Sequence, residues 1–221
     1  MKPIIGITPD KTRDGGRYEL STHYQRCLCE LGAIPMILSN EVSAIADYLQ
    51  LCNGFIFSGG NDPDTTAYGE PVHPAAKLID SERQNFETEL LRRLDRSAKP
   101  ILGVCLGMQM MALHHDGRIH QHLNDVIPDE NAEVHAEGTH DVVACVTDCH
   151  GMTLTGSVHS HHHQAVSSAG RMRVVAKSHD DVIEGIDMPG ERFYVGVQWH
   201  PERTENPTMG IDIFRRFLAA C

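Results

Sequence analysis

From Ile4 to His114 the sequence alternates short apolar, β-branched runs with stretches of helical spacing, and this alternation restricts the architecture more than any other feature. Ile4–Thr8, Pro35–Leu38, Gly54–Phe57 and Pro100–Val104 read as strands. Glu19–Leu31, Ser43–Leu51, Ser81–Ser97 and Met108–His114 read as helices. Gly32 stands where a C-cap glycine belongs, and Phe86, Leu90, Leu91 and Leu94 share one side of the third helix. Strands that alternate with helices are joined by crossovers. The pattern therefore predicts an α/β fold with a mostly parallel central sheet and helices on both faces.

Arg118 to Val197 reads differently. "DVVACVT", "RMRVVAKS" and "RFYVGVQW" are strand-like and little between them is helical, which predicts hairpins or edge strands added to the sheet. Thr208–Ala219 reads as a terminal helix. A chain of 221 residues can bury one sizeable core, so a single domain over residues 1–221 is expected.

The formal net charge is −11 and no lysine/arginine-rich run interrupts it, which argues against a nucleic-acid or anionic-membrane partner. No apolar run approaches a membrane span, and "MKPIIGITPD" reads as a strand and turn rather than a signal peptide. Seven cysteines, an odd number in a chain too long to need staples, suit reduced thiols in a cytoplasm.

Four stretches could carry chemistry. Gly103-Val104-Cys105-Leu106-Gly107 follows an apolar strand and precedes a helix. Small neighbours let such a turn close sharply, and the helix N-terminus behind it favours thiolate. A buried structural cysteine would give the same pattern. In "VGVQWHPE", His200 and Glu202 lie two apart around Pro201, so in extended backbone both point to one side and the carboxylate can orient the imidazole. Ser58-Gly59-Gly60 ends a strand with room for backbone N–H groups to approach a ligand. His159-Ser160-His161-His162-His163-Gln164 lies near Cys145, Cys149 and His150, but the spacing matches no standard metal pair. That segment reads as a polar pocket loop or a solvated run, and no metal is expected.

Taken together and in this order, "KPIIGIT", "FIFSGGNDPDTTAYGE", "DSERQNFETELLRRL", "PILGVCLGMQMM", "GRIHQHL", "SVHSHHHQAV" and "FYVGVQWHPE" resemble the class I glutamine amidotransferase superfamily. The likeness is narrower to its peptidase C26 group, typified by γ-glutamyl-γ-aminobutyrate hydrolase. It implies a flavodoxin-like sheet and a catalytic set of Cys105, His200 and Glu202. It also implies oxyanion donors from Gly60 and Leu106, and substrate contacts from Gly59, Gln109, His161, His162, His163 and Gln164. The activity implied is cleavage of a small γ-glutamyl amide through a thioester, with neither cofactor nor metal. A homodimer is compatible with it. A glutaminase subunit that delivers ammonia to a synthase partner, and a silent binding module of the same fold, are the alternatives. Leu106 stands where hydrolases of the group carry arginine, and His159 where they carry asparagine; both departures bear on the leaving group rather than on the cleavage.

Overall fold

The computed structural model describes residues 1–12, 14–190 and 192–221. In chain order, β1 (Ile4–Ile7) is followed by a small hairpin of β2 (Asp10–Lys11) and β3 (Tyr18–Glu19), then α1 (Thr22–Glu30), β4 (Ile34–Ile37), α2 (Ile45–Leu51) and β5 (Gly54–Phe57). Next come α3 (Ser81–Leu94), β6 (Ile101–Val104), α4 (Leu106–His114), β7 (Arg118–His120), α5 (Asp129–Ala136), β8 (Gly138–Ala144) and β9 (Gly156–Ser160). The chain ends with β10 (Ala165–Ser168), β11 (Arg173–Ser178), β12 (Ile183–Asp187), β13 (Tyr194–Val197) and α6 (Ile211–Ala219).

Five parallel strands, β4-β1-β5-β6-β13, make one half of the main sheet. Renumbered by their order in the chain they run 2-1-3-4-5, the flavodoxin-like arrangement, in which ligands gather beyond the carboxyl ends of the strands. The sheet continues from β13 through β12, β11, β8 and β9, every pair antiparallel, with β10 and β7 branching from β12.

Strand alternation sends the apolar side chains of the parallel half into two cores. Ile5, Ile7 and Ile56 pack on one face with Tyr24 and Leu28 of α1 and Phe214 and Phe217 of α6. Phe55, Phe57 and Ile101 pack on the other with Ile45 of α2, Phe86 and Leu90 of α3, and Met108 and Met111 of α4. Each large side chain so buried is worth roughly 1.5–3 kcal/mol, which is what holds short helices on the sheet. No helix among the described residues is long and apolar enough to cross a membrane, and all seven cysteines are free thiols.

Several boundaries move from the expected ones for local reasons. The first helix starts at Thr22 because the Ser21 hydroxyl accepts from His23 N and caps it, while Tyr18–Glu19 pairs with Asp10–Lys11. The helix expected from Met108 begins at Leu106, directly after the elbow. Gly107 lets this first turn lie close against β5: a Cβ there would stand 2.1 Å from the Phe57 carbonyl oxygen. The antiparallel strands are more numerous than the three apolar runs suggested. β9 and β12 bury Ser160, Glu184 and Asp187 among their apolar residues, and β10 buries only Ala165 and Val166, so no apolar alternation announces them.

Candidate active site

Strand register brings the candidate residues to one rim. Phe57 pairs with Gly103, and Val104 with Val197, so Ser58, Cys105 and Gln198 leave the sheet side by side. Cys105 N donates to Val197 O at 2.8 Å, which ties the elbow to the strand that leads to His200. Cys105 itself sits at φ 52, ψ −109, a conformation that costs a non-glycine residue about 1–3 kcal/mol and is found where the backbone is held for function. Gly103 permits the turn, since a Cβ there would meet Met111 Sδ at 2.3 Å.

The His-Pro-Glu turn folds as its spacing suggests. His200 Nδ1 lies 2.7 Å from Glu202 Oε1. His200 N donates to His159 O at 3.0 Å, and the Thr204 hydroxyl donates to His200 O at 2.8 Å. Trp199, fully buried, fixes the approach by donating from Nε1 to Met209 O at 2.8 Å. Burial alone would pull the His200 imidazole down, but the Glu202 carboxylate, together with the nearby Cys105 sulfur, outweighs it and raises the ring to about 10. Its Nε2 has no hydrogen-bond partner among the described residues. Cys105 and His200 meet across Gly59: a Cβ on that glycine would lie 3.0 Å from His200 Cε1 and 3.6 Å from Cys105 Cβ. The chain has no room for a side chain between them.

Two cavities adjoin at this point. One, of about 300 Å³, is lined by Gly60, Cys105, Gln109, His161, His162, His163 and Gln164, which unites nearly all the residues the resemblance assigned to substrate. The other, of about 530 Å³, opens on the imidazole side and includes Gly59, Tyr24, His200, Glu202 and Arg203. Gly59 therefore belongs to the second cavity, and its N–H is spent on the Tyr24 hydroxyl at 3.0 Å. Leu106 is the first residue of α4, where helix N–H groups lack intrahelical acceptors. The Gly60 N–H has no acceptor among the described residues. Both are available as oxyanion donors.

Within the smaller cavity the histidines divide. His161 is exposed and its Nδ1 meets Glu137 Oε2 at 2.5 Å. His163 Nε2 lies 2.9 Å from Asp62 Oδ2. His162 forms part of the wall, with its Nδ1 at 2.8 Å from Gln164 O and its Nε2 turned inward, 3.4 Å from His135 Nδ1. His162 thus stands in the cavity wall with its ring turned toward the interior. Gln109 is held by Gln164 O and Gln198 Oε1, both at 3.3 Å from its Nε2.

Sequence reasoning passed over Arg83. This fully buried guanidinium lies behind the glycine loop, its Nη2 donating to Ser58 O at 3.0 Å and Gly59 O at 3.2 Å. Its Nε donates to the equally buried Glu87 at 2.9 Å, and Asp10 stands 3.3 Å from Nη1. Gly60 is a glycine for the same reason, since a Cβ would fall 2.5 Å from Arg83 Nη1. The only sign in the sequence was an Arg-x-x-x-Glu spacing on a helix, which usually marks a solvated pair.

A candidate GMP synthase protein of Thermoplasma acidophilum aligns structurally over 100% of this chain and 94% of its own, with a TM-score of 0.72 at 20% identity. The two share one fold, and the elbow and the His-Pro-Glu turn lie at the rim where such sheets place ligands. The Peptidase C26 family model matches residues 3–202, from the first strand through Glu202, and the chain belongs to that family of amide-bond hydrolases. Among curated relatives, a candidate glutamine amidotransferase of Mycobacterium tuberculosis is 30% identical over 99% of this chain and 73% of its own. The γ-glutamyl-γ-aminobutyrate hydrolase of Escherichia coli K12 is 25% identical over 99% of this chain and 93% of its own.

Proposed function

We propose that the protein hydrolyses the γ-glutamyl amide bond of a small γ-glutamyl amine or amino acid through a thioester on Cys105. One observation carries the reading: a cysteine held at positive φ beside a carboxylate-backed imidazole, at the junction of two cavities. The smaller cavity lies at the low end of ligand-site volumes and suits a glutamyl group; the wider one leaves room for the amine.

The raised pKa keeps His200 protonated at neutral pH, in position to stabilise a Cys105 thiolate. The thiolate attacks the γ-carbonyl carbon, and the oxyanion is received by the Gly60 and Leu106 N–H groups. The C–N bond breaks as His200 gives its proton to the departing amine. The now neutral imidazole takes a proton from water, the hydroxide attacks the thioester, and the C–S bond breaks. Glutamate leaves, and the proton stays on His200. Glu202 holds the ring orientation throughout. Arg83 carries the loop that presents Gly60, which makes it a positioning residue.

The test is a panel of γ-glutamyl amides and glutamine given to the purified chain, with liberated glutamate measured. Turnover of a γ-glutamyl amine by the isolated chain, abolished in Cys105→Ser, is the expected result. Activity on glutamine alone, and only after a synthase is added, would overturn it in favour of the ammonia-delivering reading. An inert Cys105 towards iodoacetamide near neutral pH would favour a silent module.

A further inference from the structure

Behind the smaller cavity, four buried side chains from four elements converge on one point. They are His135 of α5, His140 of β8, His162 of the loop after β9, and Glu184 of β12. One ligating atom from each lies within 4.8 Å of all the others. Glu184 Oε1 is 3.3 Å from His135 Nδ1, 3.6 Å from His140 Nε2 and 3.7 Å from His162 Nε2. His135 Nδ1 and His162 Nε2 are 3.4 Å apart.

Those four spacings lie close to the edge lengths of a coordination tetrahedron. Nitrogen and oxygen ligands bound at about 2.0–2.2 Å stand about 3.3–3.6 Å apart when four surround a zinc ion. The outer nitrogens complete the pattern. His135 Nε2 faces Asp180 Oδ2 at 3.2 Å, His162 Nδ1 faces Gln164 O at 2.8 Å, and His140 Nδ1 faces Asp141 O at 3.3 Å. Each outer nitrogen meets an oxygen that can only accept, so it must carry the proton. With the proton on the outer nitrogen, the inner nitrogen of each ring is the one placed to ligate a cation beside the carboxylate. Metal-ligating histidines are oriented in this way by acceptors behind them. Glu184 is fully buried and faces all three rings. Both its oxygens and His140 Nε2 are buried without a hydrogen-bond partner among the described residues. Such a set of lone pairs at nearly zero exposure is costly unless a cation joins it.

The geometry points to a structural zinc site formed by His135, His140, His162 and Glu184. Three imidazoles and one carboxylate, tetrahedral and closed on all sides, suit zinc better than calcium or magnesium, which prefer six or more oxygens. The site takes no part in bond cleavage. It clamps α5, β8 and β12 to the segment that carries His161 and His163, and so stiffens the cavity wall. The proposed site departs from the sequence expectation of no metal. That expectation weighed Cys145, Cys149, His150 and the consecutive histidines, of which only His162 contributes.

The experiment uses the full chain, stripped with a chelator and titrated with Co²⁺ and then Zn²⁺. One equivalent of Co²⁺ should give the intense visible absorption of a tetrahedral centre, and Zn²⁺ should bleach it by displacement. At a thousandfold excess of Zn²⁺ over Kd the melting temperature should rise by about 10 °C. His140→Ala and Glu184→Gln should lose the absorption, and Cys105→Ser should keep it. If either variant fails to fold, the other and the stripped wild-type protein decide. Three results would overturn the site: no uptake by the stripped protein, a melting temperature indifferent to Zn²⁺, or the same spectrum in Glu184→Gln. The first two would leave a proton-bridged network, and the third would move the metal elsewhere, for instance to Asp95, His114 and His115.

Discussion

The two halves of the main sheet bury different things. In the parallel half the strand interiors are aliphatic or aromatic, and polar groups appear only past the carboxyl ends, at Ser58, Cys105 and Gln198. The antiparallel half carries Ser160, Glu184 and Asp187 inside its strands at zero exposure, with His135 and His162 packed against them. One half is a rigid apolar platform with chemistry at its rim. The other is a polar layer that shapes the wall of the cavity. Where the fold needs only stability, burial of carbon suffices. A wall that must present histidines to a ligand on one side needs its own polar groups satisfied on the other.

That contrast can be attacked from its strongest consequence downward. Cys105→Ser should lower glutamate release by at least about 10³-fold while leaving thermal unfolding nearly unchanged, because chemistry at the rim is separable from the platform. A large loss of stability in that variant would show that the elbow is structural. Arg83→Met should cost about 3–5 kcal/mol in urea unfolding, since Glu87 would be left buried without its partner. It should also depress turnover through the loop at Gly59 and Gly60. Gly107→Ala, aimed at the contact between α4 and Phe57 O, should cost about 1–3 kcal/mol from overpacking alone.

The His200 ring offers a test by pH. A raised pKa contributes stability that is complete below about pH 6.5 and is lost as pH climbs toward about 10. Unfolding midpoints measured from pH 6 to pH 10 should therefore fall more in the wild-type protein than in His200→Gln. Parallel curves would remove the charged-imidazole step from the mechanism. The smallest effect is expected on the outer face of the antiparallel half, where Val143 is 56% exposed; Val143→Lys should shift stability by no more than about 0.5 kcal/mol.

How much of this was visible beforehand follows the same division. The strands of the parallel half are apolar runs bounded by glycine, proline or a cap; β1, β4, β5 and β6 moved by at most one residue at either end, and β13 is two residues shorter at each end than the run that announced it. The elbow was legible because its positive-φ cysteine stands between two glycines, Gly103 packed against Met111 and Gly107 against Phe57, where no side chain fits. His200 and Glu202 were legible because their spacing is local. β9, β10 and β12 were not, since β9 and β12 bury Ser160, Glu184 and Asp187 and β10 has only Ala165 and Val166 inside, so none shows apolar alternation. Asp62 and Arg83, from a loop and a helix, gain their meaning from His163, Ser58 and Gly59, each many residues away.

By itself the sequence determined the alternation of strands and helices, the strained cysteine and the acid-backed histidine, because each depends on neighbours along the chain. Only the tertiary structure decided which histidines face the cavity and which turn inward, why Gly60 must lack a side chain, and that His135, His140, His162 and Glu184 share one point. Those outcomes depend on distances between segments up to about a hundred residues apart, and spacing along the chain does not encode distance through the core.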